Sequence, residues 1–345
     1  MKLHRLLLGV GIVFGLAALA VVGRDAEPTP ARMAAAAEKF LALLTADQKA
    51  KAAFPFDSKE RFNWNFVPLQ DKDKQPTRKG VRLEELTDAQ KKAALELLAT
   101  GTSQAGFDKA TTIMSLESIL HEQEKARPNN VRSPGWYFVT IFGTPSKTGA
   151  WGWRWEGHHL SLSYTLDGGK VVAATPAVFG SNPAEIKAGD KKGHRPLGDA
   201  EDAAVALYDS LTDEQRKVAV QAKQFPEIEQ KVTKPGVGEP VGLPAAKMTA
   251  AQKETLKKLL AAYTGRMPAD VAAEQMDAVN KAGLEKVHFG FAREAEKPGK
   301  PYTYRVQGPT FVVEFLNVQA DAGGNPANHI HSSWRNVAGD FGTAK

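Results

Sequence analysis

Trp151-Gly152-Trp153-Arg154-Trp155-Glu156-Gly157-His158-His159-Leu160-Ser161-Leu162-Ser163-Tyr164-Thr165-Leu166 is where the chain stops reading as helix and starts reading as sheet. Large apolar residues recur every second position, and side chains of a strand alternate between its two faces. Strands are expected at Gly135 to Phe142, Ala150 to Glu156, His158 to Leu166 and Lys170 to Ala174. Asp167-Gly168-Gly169 between the last two is turn chemistry and predicts an antiparallel hairpin. Outward from this block the period changes to that of helices. Upstream, amphipathic helices are expected over Ala34 to Leu44, from Thr87 as N-cap to Leu98, and over Phe107 to Lys125. Aromatics at Phe54-Pro55-Phe56 and from Arg61 to Phe66 suggest a short extended segment, and Asp71 to Lys79 a charged loop. Downstream, helical signals fill much of Asp199 to Ala282, and strands return at Lys286 to Ala292, Tyr302 to Val306 and Thr310 to Val318.

Helices, then strands, then helices, then strands is an α+β order and not a βαβ one. The order also repeats. Thr87-Asp88-Ala89-Gln90 resembles Thr249-Ala250-Ala251-Gln252, and Thr45-Ala46-Asp47-Gln48 resembles Thr212-Asp213-Glu214-Gln215. Trp151-Gly152-Trp153-Arg154-Trp155-Glu156-Gly157 and Tyr302-Thr303-Tyr304-Arg305-Val306-Gln307-Gly308 share aromatic-x-aromatic-Arg-x-x-Gly. The expectation is two similar α+β halves, 45–198 and 199–345, each of helices followed by an antiparallel hairpin, packed about a pseudo-twofold axis.

The first residues read as an address. Basic Met1-Lys2-Leu3-His4-Arg5 precedes an uncharged run from Leu6 to Val22, and Ala18-Leu19-Ala20 has the small-x-small pattern of a cleavage site. Residues 1–23 are therefore expected to be a signal peptide, 24–44 a linker and leading helix, and the mature protein to be soluble and exported, periplasmic or extracellular. Membrane attachment is expected only through the leader, should it stay uncleaved. The chain holds no cysteine, which excludes disulfides, thiolate ligands and thiol nucleophiles. Its 345 residues, 42% hydrophobic and 24% charged, are an ordinary globular balance. Removing Lys2 and Arg5 with the leader takes the net charge from +6 to +4, and the remaining charges are interspersed, so no basic face for nucleic acid is formed.

Four of the eight histidines are isolated or in the leader, which leaves His158-His159 and His329-Ile330-His331. On an extended backbone His329 and His331 share a side and can hold one ion, whereas adjacent His158 and His159 are expected on opposite faces. His158 then joins Leu160, Leu162 and Tyr164 as a core histidine, and His159 joins Ser161, Ser163 and Thr165 on a polar face. Glu314 lies inside Phe311-Val312-Val313-Glu314-Phe315, where a buried carboxylate must meet a metal or a cation from Arg154, Arg305 or Arg335. The candidate site is His159, His329, His331 and Glu314, with Glu117 and His158 as further possibilities. Imidazole and carboxylate without thiolate suit a divalent transition metal: Zn, Fe, Mn, Ni or Cu. Trp153, with Trp151 and Trp155, reads either as a sugar-stacking platform or as a core face under helices. Arg154, Arg305 and Arg335 are candidates for binding an anionic ligand.

At Gly152-Trp153-Arg154, Gly157-His158-His159-Leu160-Ser161-Leu162, Thr175-Pro176, Gln307-Gly308-Pro309, Asn328-His329-Ile330-His331-Ser332 and Trp334-Arg335 the chain resembles the DUF3500 family of uncharacterised proteins. The resemblance runs from about Leu44 to Gly342. It implies no activity, agrees with export, and directs attention to His158, His159, His329, His331 and Glu314. Leu316 and Asn317 follow Phe315 where the family carries an aspartate.

Two function classes remain open from sequence: a metal-dependent hydrolase or oxidoreductase acting on a small molecule, and a non-catalytic carbohydrate- or anion-binding envelope protein.

Overall fold

A computed structural model describes residues 27–125, 130–293 and 299–343; the leader lies outside the described residues. Four helices open with a threonine whose hydroxyl accepts from the backbone three residues on, while a glutamine at that position returns a bond to the threonine N–H. These are Thr45 with Gln48, Thr87 with Gln90, Thr212 with Gln215 and Thr249 with Gln252. They start α2 (Ala46–Ala52), α3 (Asp88–Thr100), α6 (Asp213–Ala219) and α7 (Ala250–Thr264). The same glutamines join neighbouring helices, because Gln90 Nε2 donates to Gln48 Oε1 at 2.8 Å and Gln252 Nε2 to Gln215 Oε1 at 2.8 Å.

The other helices are α1 (Thr29–Leu43), α4 (Gln104–Glu124), α5 (Gly198–Asp209) and α8 (Ala269–Ala282). Helix α1 begins inside the stretch expected as linker, since a proline in the first turn removes no intrahelical hydrogen bond. It packs on α3, and α5 packs on α7.

Twelve strands form one open mixed sheet: β1 (Ala53–Phe54), β2 (Val81–Arg82), β3 (Phe138–Phe142), β4 (Trp151–Gly157), β5 (Leu160–Asp167), β6 (Lys170–Ala173), β7 (Ala177–Ser181), β8 (Leu243–Pro244), β9 (His288–Arg293), β10 (Tyr302–Gln307), β11 (Phe311–Gln319) and β12 (His329–Asn336). The spatial order is β1-β3-β4-β5-β7-β12-β11-β10-β9-β8, with β2 added to β3 and β6 to β5. Every pairing is antiparallel except β1 with β3. The expected hairpin at Asp167-Gly168-Gly169 joins β5 to β6. The α+β class is as read from the sequence. The central strands β7 and β12 are an addition to it. From Arg61 to Phe66 the aromatics form a 3-10 turn and a loop, not a strand.

The faces of the sheet differ. Trp151, Trp153, Trp155, Leu160, Leu162, Tyr164, Phe179, Trp334, Phe315 and Tyr304 belong to the main core with the helices. The opposite face carries Arg154, Glu156, Ser161, Ser163, Glu314, Arg305, Ser333 and Arg335, all buried. Loops cover it, and a smaller apolar cluster joins their Trp64, Phe66, Ile228 and Phe341 to Val178 of β7 and Leu316 of β11. No helix among the described residues is long and apolar enough to cross a membrane.

Candidate metal centre

Strand β4 ends at Gly157 and β5 begins at Leu160, with Gly157 and Leu160 paired, so His158 and His159 are the two residues of a hairpin turn. The expectation of opposite strand faces is corrected: the rings lie side by side, centroids 3.7 Å apart and 30° between planes. His159 has φ +63°, a left-handed conformation that costs a non-glycine residue about 1–3 kcal/mol. Backbone bonds on two sides impose it. His159 N–H donates to Phe66 O at 2.7 Å, and Gly180 N–H donates to His159 O at 2.7 Å. Tyr137 Oη also donates to His158 O at 2.7 Å.

His329 and His331 alternate on β12 and share a side, as read from the sequence. On the neighbouring strand β7, Gly180 is the partner of His331. A Cβ at Gly180 would stand 2.9 Å from His159 Cδ2, so the absent side chain clears the path by which His159 reaches β12.

Three Nε2 atoms meet there. His159 Nε2 is 2.8 Å from His329 Nε2 and 3.2 Å from His331 Nε2, and the last two are 3.1 Å apart. Such a triangle cannot be three hydrogen bonds, because each Nε2 of a neutral imidazole either carries the N–H and donates or carries the lone pair and accepts, never both. His331 Nδ1 lies 2.8 Å from Glu227 Oε2, an acceptor, which places its proton on Nδ1 and a lone pair on Nε2. His329 Nδ1 lies 3.3 Å from the Asn182 Nδ2 position, while Asn182 Oδ1 has no partner. A half-turn of that amide lets Nδ1–H donate to Oδ1 and again leaves a lone pair on Nε2. Burial lowers His159 well below the usual imidazole range, helped by the neighbouring histidines, and pushes His329 down to about 2. Neutral rings with lone pairs directed at one point are metal ligands. Around an ion at about 2.1 Å, tetrahedral nitrogens stand roughly 3.4 Å apart, so the spacing fits with shifts of a few tenths of an ångström. This is the group of three His, Asp or Glu side chains able to hold an ion among the described residues.

The remaining sequence candidates are placed elsewhere. Glu314, expected as a ligand, instead has Oε1 3.4 Å from Arg305 Nη2 and Oε2 3.3 Å from Ser333 Oγ. Position explains this: Leu316, not Glu314, is opposite His331. Burial raises the Glu314 carboxyl, with Arg305 and Arg335 opposing. His158 Nδ1 contacts the Glu117 carboxylate and lies 3.1 Å from Arg132 Nη1, so both candidates sit beside the triad and not in it. Burial lowers His158, and Glu117 opposes that.

The anion-binding expectation for the arginines is also corrected, because each has a carboxylate of the protein itself. Arg154 meets Glu60 at 2.7 Å and Glu156 at 3.0 Å, and Arg335 meets Asp340 at 2.7 Å. Trp153 is no platform; it is 1% exposed and stacks on Tyr164 at 4.8 Å in the helix-side core. Sequence reasoning missed Glu227, Asn182 and Gly180. Each comes from a loop or a strand it did not place, and none stands in a histidine-spaced motif.

The model of a family described as "Protein of unknown function (DUF3500)" matches residues 26–343. The chain belongs to this family. No curated protein and no solved structure matches it. The DUF3500 description assigns no activity, so the chemistry of this member rests on its own geometry. All three triad histidines fall within the matched span, as do Glu227 and Asn182.

Proposed function

We propose that this DUF3500 protein binds one divalent transition-metal ion through His159, His329 and His331 and uses a free coordination position for metal-assisted hydrolysis of a small molecule. The observation carrying this is the Nε2 triangle with no edge above 3.2 Å, in which burial lowers His159 and His329 and Glu227 accepts from Nδ1 of His331. Three protein nitrogens and, among the described residues, no fourth protein ligand is the pattern of catalytic zinc sites, whereas structural sites are closed by a fourth. An ion so held lowers the pKa of bound water towards neutrality and supplies a nucleophile. Glu227 on His331 and Asn182 on His329 would orient the rings, the role that carboxylates and amides play behind metal-bound imidazoles. Imidazole ligands equally suit Cu, Fe or Ni, and a redox-active ion would redirect the same site to oxidoreductase chemistry.

The reading carries two further proposals. The leader pattern of residues 1–23 supports export, with the metal taken up outside the cytoplasm. The four threonine–glutamine caps and the equivalent pairings Arg154 with Ser163 and Arg305 with Glu314 support two halves of common origin meeting at β7 and β12.

Elemental analysis of the full chain, purified without chelator or affinity tag, tests the site. Near one equivalent of metal is expected, and its loss in a His329→Ala/His331→Ala variant. Absence of metal together with no rise in unfolding midpoint on adding zinc, copper, iron or nickel would overturn it.

A further inference from the structure

Five arginines of the described residues are at most 9% exposed: Arg78, Arg154, Arg266, Arg305 and Arg335. Four have a carboxylate beside them. Arg78 pairs with Glu156, Arg154 with Glu60, Arg305 with Glu314 and Arg335 with Asp340. Arg266 differs. It is 4% exposed, has no carboxylate within ion-pair distance among the described residues, and its Nη2 is buried without a partner. Its one side-chain hydrogen bond is from Nε to Ala262 O at 2.8 Å. The guanidinium lies over the rings of Tyr263 at 4.4 Å and Phe179 at 5.0 Å. Ring faces offset part of the cost of burying a cation but leave its charge uncompensated.

Arg266 also borders a cavity of about 10 Å³ under the helix side of the sheet, lined by Thr102, Tyr164, Tyr263, Phe179 and Trp334 among others. That is room for a single water-sized guest. The hydroxyls are already committed: Tyr164 donates to Gly101 O, Thr102 to Leu98 O, and Tyr263 shares a bond with Tyr304. The walls are otherwise apolar. A neutral water there would leave the charge standing. Sulfate or phosphate, with five heavy atoms, is too large.

We propose that Arg266 and this cavity form an internal site for a small monovalent anion of the chloride class. The ion completes the charge balance that Glu and Asp supply to the other four buried arginines. The site lies on the opposite face of the sheet from the three histidines and does not depend on the metal reading.

The test is the unfolding midpoint of the full chain in chloride against gluconate at equal ionic strength. A saturable rise of about 3 °C in chloride is expected. Arg266→Met removes the charge and should abolish the difference between salts. Should that variant not fold, Ala177→Leu fills the cavity with the arginine intact and should abolish it too, since Ala177 is part of the lining. Crystals grown in bromide should show an anomalous peak beside Arg266. Equal midpoints for the wild type in both salts, a salt difference surviving in the variants, or a cavity holding water without bromide would each overturn the proposal.

Discussion

Strand β4 lends alternate residues to two buried environments built in different ways. Trp151, Trp153 and Trp155 enter the helix-side core, while Arg154 and Glu156 between them enter a loop-covered layer of ion pairs. Both are fully buried. On the helix side, stability comes from apolar area and packing. On the loop side each of these buried charges is tolerated because it has a partner of opposite sign, and the arginines also donate to backbone carbonyls. Arg335, for example, reaches Asp340, Glu229 O and Val232 O and lies over the Trp64 ring at 4.9 Å. A hydrophobic face supplies few ligand atoms. A polar face that loops can enclose brings three histidines against one another, and the candidate site stands there.

The largest effect expected from this contrast is Trp153→Ala, which removes a ring stacked on Tyr164 and packed so closely on Gly101 that a Cβ there would stand 2.5 Å away. A loss of about 4–5 kcal/mol should appear in urea unfolding. On the other face Arg335→Met should lose about 3 kcal/mol, because Asp340 is left buried and unpaired. Replacing both, Arg335→Met with Asp340→Leu, should recover most of that. Recovery would show that the ion pairs fix which loop covers the sheet more than they add stability; a double variant as unstable as the single would reverse that conclusion.

A pH-dependent effect separates the histidines from both layers. In the unfolded chain imidazoles titrate near their ordinary value of 6.5, whereas the fold pushes His329 down to about 2 and His159 well below it. Between these limits the unfolded state binds more protons. Stability of the metal-free protein should therefore hold above about pH 6.5 and fall as pH drops below it, by roughly 1.4 kcal/mol per unit per histidine. A His159→Gln/His329→Gln variant should lose that slope. A wild-type midpoint unchanged between about pH 7 and 5 would show that the rings are not held neutral.

The helices were legible because their starts are local chemistry: Thr87 and Gln90 specify a cap whatever the rest of the chain does. Strands β7 and β12 were not, since Ala177–Ser181 and His329–Asn336 are buried on both faces and lack strict alternation. The His158-His159 turn misled for a related reason. It contains no Gly, Asn or Asp, and its left-handed residue is tolerated through bonds to Phe66 and Gly180, which are distant in sequence. Glu314 was correctly singled out as a carboxylate in need of a partner, and Arg305 was among the partners considered. Choosing between that cation and the histidines needed the register of β11 on β12, which places Leu316 opposite His331.

The smallest stability change, and the sharpest division within the loop face, concerns its carboxylates. Glu227 is 42% exposed at the side chain and accepts from His331; burial works to raise its carboxyl, but the bond from His331 outweighs it and leaves it lowered. Glu227→Gln keeps an acceptor and removes the charge, so folding stability should stay within about 0.5 kcal/mol while zinc affinity, measured by chelator competition, falls about tenfold. Glu314→Gln should do the opposite, leaving affinity unchanged while weakening the fold through Arg305. If the affinity loss followed Glu314 instead, the ion would have to sit deeper along β11 than the three Nε2 atoms allow, and the face would be one connected charge network and not a metal centre set beside one.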